Sequence, residues 1–498
     1  MKRILKSVTA VFLVLVMLVP GVSFAKTFTD VGEGKWYTDA VNYVTEKGYF
    51  TGTTQTTFEP KTIMSRAMFV TILAAHSGDD ISSFSADQFR DVSSTSWYDK
   101  AVGWAYENQI VSGVSEDMFA PKASVTRQEV CLMLDKYIAY RGYTLYGKNY
   151  EISSDDASIS SWAKKSVYEI KGYGVVTGKE GNRIDPKGIA TRAEVAQMMM
   201  KLDEVIKRCK GLNIDVVDIK IEGMTKDVKI LHVSDTHVTL TDLNDPEAAV
   251  EYQNARKALF AAEIADEVDS KERFDNYFDF ADGIGADLVA LTGDIIDAPT
   301  SGNLNHFKAT LEKSKVDHLY AFGNHDWTAE WLNATHGGYQ SRQQRDLHVP
   351  MFDGIIGEGE ADVAVRDFGE FKVIAIDNSD NQVSAAQLQA VYEHLDGSGD
   401  DKPVILLMHV PLYIESMVND VVGMWGNAIL MGSPSTNPTY QTRMFCQLLE
   451  SDQSPVVAIL AGHVHMDHVD DVSARNDTVQ YTLGASYQGY ARVFNIHG

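Results

Sequence analysis

The sequence predicts a multidomain chain in which an all-α bundle of three repeats precedes a larger α/β domain. Three observations carry this reading. In the first half, a set of aromatic, glycine, proline and Ser/Thr-Arg positions returns twice at a near-constant offset. In the second half, five short apolar runs each end in carboxylate, amide or imidazole residues, as buried strands do when their carboxyl ends hold a ligand. The length of 498 residues suits two to four domains at roughly 100–200 residues each. A 44% hydrophobic and 10% aromatic content can fill a core. The net charge of −25 argues against a nucleic-acid-binding surface, and three cysteines exclude a disulfide scaffold or thiolate zinc cluster.

From the N-terminus, Lys2, Arg3 and Lys6 make a positive start, Val11 to Val19 is uninterrupted apolar sequence, and Pro20 breaks it. Ser23-Phe24-Ala25 then offers a small-x-small cleavage site, so residues 1–25 read as a secretory signal peptide. No later run reaches the ~18 apolar residues of a membrane helix, and no transmembrane segment is expected after cleavage. Cys131 falls in an apolar helical stretch and reads as core filler.

The repeats follow. Trp36-Tyr37, Gly52, Phe58, Pro60 and Ser65-Arg66 recur 61 residues on as Trp97-Tyr98, Gly113, Phe119, Pro121 and Thr126-Arg127. A further shift of 65 finds Trp162, Gly178, Pro186 and Thr191-Arg192 at or next to the expected places. Each unit reads as a short helix, an extended piece containing x-Pro, and a second helix capped by Ser or Thr. Thr126 with Glu129 and Thr191 with Glu194 have capping-box spacing. Two short helices cannot bury an apolar face alone, so the three units should pack together. Trp36, Trp97 and Trp162 are expected in that core.

These features resemble the S-layer homology (SLH) domain over about residues 27 to 207, with repeats at 26–80, 81–143 and 144–207. The resemblance implies a pseudo-threefold bundle on the cell wall or S-layer of a Gram-positive-type bacterium. Its partner would be a secondary cell-wall polysaccharide, often pyruvylated. It further implies that Arg66, Arg127 and Arg192, at the arginine of the Thr-Arg-Ala-Glu motif, take the acidic sugar group. A planar guanidinium suits a carboxylate; the lesser alternative is that each arginine caps or salt-bridges its own bundle. The first repeat reads Ser65-Arg66-Ala67-Met68 and lacks the glutamate, while the third lacks the opening Phe-x-Asp-Val. Weaker binding is therefore expected in the first or third groove.

Residues 208–225 read as a linker and joining strand, with Val217, Ile219 and Ile221 alternating against Asp218 and Lys220. Beyond it, Val228–Val233 leads into Asp235-Thr236-His237, and Leu288–Leu291 into Gly293-Asp294-x-x-Asp297. His318–Phe322 leads into Gly323-Asn324-His325-Asp326, Val404–Met408 into His409, and Val456–Leu460 into Gly462-His463-Val464-His465. The polar tips should converge on one rim, with both members of Asp-x-His and of His-x-His on one side of an extended chain. Carboxylate, carboxamide and imidazole without thiolate suit manganese, iron or zinc.

In order and type these motifs resemble the calcineurin-like metallophosphoesterases, over about 226 to 495 within a domain spanning 226–498. The resemblance implies an α/β metallophosphoesterase sandwich of two β-sheets flanked by helices, with two divalent transition metal ions at the strand ends. One ion would take Asp235, His237 and His465, the other Asn324, His409 and His463, with Asp294 bridging. Two such cations ~3.5–4 Å apart clamp phosphoryl oxygens and acidify a bridging water whose hydroxide attacks phosphorus. His325 would then donate to a phosphoryl oxygen or protonate the leaving group, Asp326 would fix its tautomer, and Asp297 would orient a ligand histidine. His232, His306, His318, His336, His348, His394 and His497 read as structural.

Purple acid phosphatases, a related branch, carry tyrosine where this chain has Asp297, so a ferric charge-transfer site is not expected. The short stretch after His465 gives no room for the nucleoside-binding domain of periplasmic 5′-nucleotidases. The acidic insert from Asp242 to Asp282 should form helices on one wall of the cleft, and 329–363 and 414–440 should be specificity-setting loops. The reading is an exported, wall-anchored hydrolase of phosphate esters, diesters slightly favoured because His325 can protonate a poor alkoxide. The rival is a wall-binding structural or receptor protein with an inactive phosphoesterase fold.

Overall fold

The computed structural model describes residues 28–147, 151–332, 342–357, 359–395 and 402–498. The signal segment and His336 lie outside the described residues. The chain divides into two compact units: residues through 143 with 152–170 and 175–202, and 144–151 with 171–174 and 203–498.

Among the described residues the repeats supply six α-helices: α1 (Thr38–Glu46), α2 (Arg66–Ser77), α3 (Asp99–Glu107), α4 (Arg127–Tyr140), α5 (Lys164–Gly172) and α6 (Arg192–Cys209). The unit is not purely helical. Extended segments before α2, α4 and α6 bridge one another pairwise, Ser65 with Ser124, Thr126 with Ile189 and Ile63 with Thr191, closing a ring through all three repeats. The ring satisfies donors that a helix start leaves unpaired. Arg66 N donates to Ala123 O and Ala67 N to Pro121 O, Arg127 N to Gly188 O and Gln128 N to Pro186 O, and Arg192 N to Thr62 O and Ala193 N to Pro60 O. Each x-Pro piece thus supplies carbonyls to another repeat's helix. The capping box at Thr126 and Glu129 forms as the spacing predicts.

Two expectations for the repeats are corrected. Trp36, Trp97 and Trp162 are 63%, 65% and 54% exposed, and the core is instead filled by Phe58, Phe69, Phe89, Phe119, Trp104 and Tyr137. The third repeat has not lost its opening aspartate. Asp155 accepts Ile184 N and Asp185 N, as Asp30 accepts Phe58 N and Glu59 N and Asp91 accepts Phe119 N and Ala120 N.

The second unit runs β1 (Asn213–Lys220), β2 (Val228–Val233), α7 (Glu247–Glu263), α8 (Ser270–Ile284), β3 (Leu288–Leu291), α9 (Ser301–Lys313), β4 (Asp317–Tyr320) and α10 (Asn324–Trp327). It continues with α11 (Arg342–His348), β5 (Val363–Asp367), β6 (Lys372–Ile376), α12 (Ala385–Leu395), β7 (Val404–Leu407), α13 (Glu415–Trp425), α14 (Tyr440–Leu449), β8 (Val456–Ala461), β9 (His468–Asp471), β10 (Val479–Thr482) and β11 (Tyr490–His497). One sheet has the order β1-β11-β2-β3-β4 and the other β5-β6-β7-β8-β10-β9. Ile230, Leu288, Ala290 and Phe494 from the first meet Val373, Ile405, Leu407 and Leu460 from the second in one core, which makes the pair a sandwich. The opposite face of the second sheet packs Val391, Leu395, Phe445 and Leu449 of α12 and α14. Helices α7 and α8 fall in the acidic insert as expected. The segment 414–440 is not a plain loop: α13 buries Met417 and Val421 against Leu430 and Val464, an apolar spacing hidden among glycines and asparagines.

Candidate metal centre

Five strand ends meet, three from the first sheet and two from the second. Backbone bonds lace them together: Asp235 N to Gly293 O and His237 N to Asp294 O, both 2.9 Å, and Gly462 N to His409 O, 3.0 Å. The convergence does not come from extended alternation. Asp235, His237, Asp294, His463 and His465 all have positive φ, between 42° and 70°. Residues with a Cβ rarely adopt that region, and its strain gathers at functional sites. The turns after the strands therefore aim these side chains. Glycines clear the space, since a Cβ on Gly323 would lie 2.2 Å from Asp294 N and one on Gly462 2.3 Å from Asp235 Oδ2.

Three trios result among the described residues, Asp235 with His237 and His465, Asp294 with His409 and His463, and His237 with Asp297 and His325, each with its ligand atoms within 4.8 Å of one another. Asp294 Oδ2 lies 3.2 Å from His409 Nε2 and 3.9 Å from His237 Nε2, so it reaches both. Imidazole nitrogens face each other at 3.2 Å (His237 and His465) and 3.1 Å (His409 and His463). Asn324 Oδ1 is buried beside the cluster without a hydrogen-bond partner. An orphaned acceptor, facing imidazole nitrogens and buried carboxylates fit a pair of cations, and thiolates are absent from the set.

Supporting bonds set each donor. His409 Nδ1 lies 2.7 Å from Thr292 O, which leaves Nε2 toward Asp294. His237 Nδ1 lies 2.9 Å from Asp297 Oδ1, the arrangement expected of an orienting carboxylate. His325 Nδ1 is 3.5 Å from that same Asp297 oxygen. Asp326 does not touch His325: it is fully buried and accepts the backbone N–H groups of Gly323, Asp294, Ile295 and Ile296 at 2.7–3.1 Å. It clamps the loop, and the expected tautomer-fixing hydrogen bond to His325 is not formed: His325 Nδ1 has no hydrogen-bond partner among the described residues.

Burial alone would raise the carboxyls, but hydrogen bonding to His465 and the nearby imidazoles hold Asp235 down at about 2. His409 is driven upward to about 10, because Asp294 outweighs the desolvation that would lower it. Burial, then the neighbouring His409, push His463 down to about 3.

The acidic insert carries residues that motif reading missed. Arg256 of α7 forks onto Asp297, Nη2 to Oδ1 at 2.7 Å and Nε to Oδ2 at 2.9 Å. Phe260 stacks on His237 with ring centres 4.9 Å apart. Trp425 at the end of α13 is 42% exposed, donates Nε1 to Val464 O at 2.9 Å and edges onto His465. The four-residue spacing of Arg256 and Phe260 on a helix was the available signal. Structural histidines behave as read: His232 bonds Thr292, His318 Ile355 O and His348 Trp327 O.

The repeat arginines are buried and pinned. Arg66 and Arg127 pair with Glu129 and Glu194, each from another repeat, at 3.2 and 3.4 Å, while Arg192 bonds carbonyls of Phe58 and Thr51.

Comparison with known proteins gives two family matches. The S-layer homology domain matches residues 27–68, 88–131 and 154–196, and the calcineurin-like phosphoesterase matches 228–467. Among curated proteins, the chain is similar to an amylopullulanase of Thermoanaerobacterium thermosulfurigenes, 32% identical over 36% of this chain and 10% of that protein. It is similar to the exoglucanase XynX of Acetivibrio thermocellus, 33% identical over 36% and 16%. It also matches the S-layer protein sap of Bacillus anthracis, 25% identical over 46% and 29%. The chain thus spans less than a third of the length of these relatives. Solved structures that align include a dimetal phosphatase from Danio rerio (15% identity, TM-score 0.32, 52% of this chain and 88% of that one). A purple acid phosphatase from yellow lupin also aligns (16%, 0.34, 54% and 46%). No helix among the described residues is long and apolar enough to cross a membrane. The chain carries three S-layer homology repeats within residues 27–196, followed by a calcineurin-like metallophosphoesterase domain over 228–467.

Proposed function

We propose that the protein is an exported hydrolase of phosphate esters, held on a bacterial cell wall by its repeats. The observation that carries the catalytic half is the pair of adjoining Asp/His trios, with Asp294 of one lying 3.9 Å from His237 of the other. Asp235, His237 and His465 would hold one divalent transition metal ion (manganese, iron or zinc), and Asn324, His409 and His463 the other, with Asp294 between them. When bound, such a pair withdraws charge from phosphoryl oxygens and makes water a competent nucleophile near neutral pH. The chain's own residues do the rest. Asp297 keeps the His237 Nδ1 proton, so Nε2 faces the centre, and Arg256 holds Asp297 in place. His325, side chain 15% exposed and 3.5 Å from Asp297, would give a proton to the departing oxygen. A group that can protonate an alkoxide supports a slight preference for diesters over monoesters.

Anchoring rests on the repeats, whose kind also occurs in S-layer proteins; the partner would be the acidic secondary polysaccharide of a Gram-positive-type wall. The test compares bis- and mono-nitrophenyl phosphate turnover with added manganese for the native chain and Asp294→Ala, alongside metal content by mass spectrometry. About two ions per chain and diester turnover lost in Asp294→Ala are expected. No metal after reconstitution, with no turnover, would instead give the receptor reading.

A further inference from the structure

Two strands of the α/β domain lie outside the family matches, the last of which covers 228–467. β1 (Asn213–Lys220) precedes that match and β11 (Tyr490–His497) follows it. They pair in parallel over their whole length, from Asn213 opposite Tyr490 to Lys220 opposite His497. In this register Asp215 lies opposite Arg492, and β11 in turn sets Arg492 opposite His232 of β2.

Arg492 is 1% exposed. Its Nε donates to Asp215 Oδ2 at 3.0 Å and its Nη2 to Asp467 Oδ1 at 2.7 Å. Both carboxylates are about half exposed, so the buried partner is the arginine. A guanidinium taken out of water needs its charge met, and charge-assisted bonds are the stronger kind. The fork thus ties Asp215 and Asp467 to one buried point.

Asp467 is two residues past His465. The turn that carries His463 and His465 is held at its start by backbone donors: Gly462 N to His409 O at 3.0 Å, and His463 N to Asp235 Oδ2 at 3.0 Å. Its middle is held by Trp425, whose Nε1 donates to Val464 O. Past Val464, among the described residues, the N–H groups of His465, Met466 and Asp467 donate no hydrogen bond before β9 begins at His468. His465 stands at φ 56°, a conformation that persists only where the surroundings over-determine it.

We infer that Arg492 is a positioning residue for the metal centre: steadied by Asp215, it grips Asp467 and so fixes where His465 points. β1 is then more than a linker, since it supplies part of the grip. The inference rests on the metal reading of the Asp/His cluster and adds an asymmetry to it. The ion held by Asp235, His237 and His465 depends on the fork. The ion held by Asn324, His409 and His463 does not, because His463 is tied at its own N–H.

The test measures manganese binding to the full chain through loss of the free Mn(II) electron paramagnetic resonance signal, with thermal melting alongside. The native chain should take up about two ions. In Asp467→Asn one of them should weaken about tenfold while the other binds as before, whereas a damaged fold would lose both. Arg492→Gln, where melting shows it folded, should weaken the same ion at least as much, with partial recovery in Arg492→Lys. Asp215→Asn should weaken it about threefold, the worth of a half-exposed ion pair. Asp218→Asn is the control. Asn495 Nδ2 donates to Asp218 Oδ1 at 3.1 Å farther along the same two strands, so this variant alters a similar bond without touching Asp467, and both ions should stay within about twofold. Native binding of both ions by Asp467→Asn or by folded Arg492→Gln overturns the positioning role, as does equal weakening in Asp218→Asn. Native affinity in Asp215→Asn overturns the part assigned to β1. A native chain that takes up no manganese overturns the metal reading itself.

Discussion

Arg66 and Arg127 sit in near-copies of one setting, each forked onto two carbonyls and one glutamate of another repeat. In the α/β domain no two residues of the Asp/His cluster share a setting: each comes from a different turn or a different place in it, and five of them need left-handed backbone. The repeat region tolerates divergence in one copy because the others still hold the ring, and Met68 is an instance. The candidate metal centre has no second copy among the described residues. Substitutions should therefore be graded in the repeats and all-or-none at the centre.

The largest effect is expected from a glycine. Gly462→Ala would place a Cβ 1.8 Å from Ser234 Oγ and 2.3 Å from Asp235 Oδ2, and turnover of either nitrophenyl ester should fall about 100-fold. Full activity would show that the turn after β8 gives way more easily than its φ values imply. Arg256→Ala comes next. Losing the fork on Asp297 should weaken manganese activation about tenfold, with partial recovery in Arg256→Lys; a manganese titration of activity reads it. In the repeats, Glu129→Ala removes both the side chain that accepts Thr126 N in the capping box of α4 and the partner of Arg66. It should cost about 1–3 kcal/mol in urea unfolding of the repeat region, with ester turnover unchanged. Trp162→Ala should cost less than about 0.5 kcal/mol, because the ring is exposed. The smallest signal concerns the thiols. Burial pushes Cys131 and Cys446 up to about 12, so the native chain should stay silent to a thiol reagent at pH 8 and react only once unfolded.

Much of the centre was legible because polar residues at the end of an apolar run have few structural uses, and five such ends in one half-chain point to a common place. Their backbone was not legible. Asp-x-His reads equally well as extended chain or as a left-handed turn, and only the bonds to Gly293 O and Asp294 O decide. Asp326 was misread for a related reason: adjacency to His325 suggested a pair, while four nearby N–H groups claimed its oxygens. Arg256 and Phe260 lay in an acidic helix whose composition named no target. In the repeats, the capping-box spacing of Glu129 concealed its second role, since one carboxylate oxygen caps α4 and the other reaches Arg66. The tryptophans misled because size suggested interior, although the phenylalanines already filled it.

The ring of repeats has a consequence for synthesis. Arg192 Nε closes onto Phe58 O across 134 residues of chain, so the seam between the outer repeats is the last to be sealed as the polypeptide grows. A chain cut short before Thr191 would leave the carbonyls of Thr62 and Pro60 without the N–H groups of Arg192 and Ala193. Completion of the third repeat is thus the step that closes the ring.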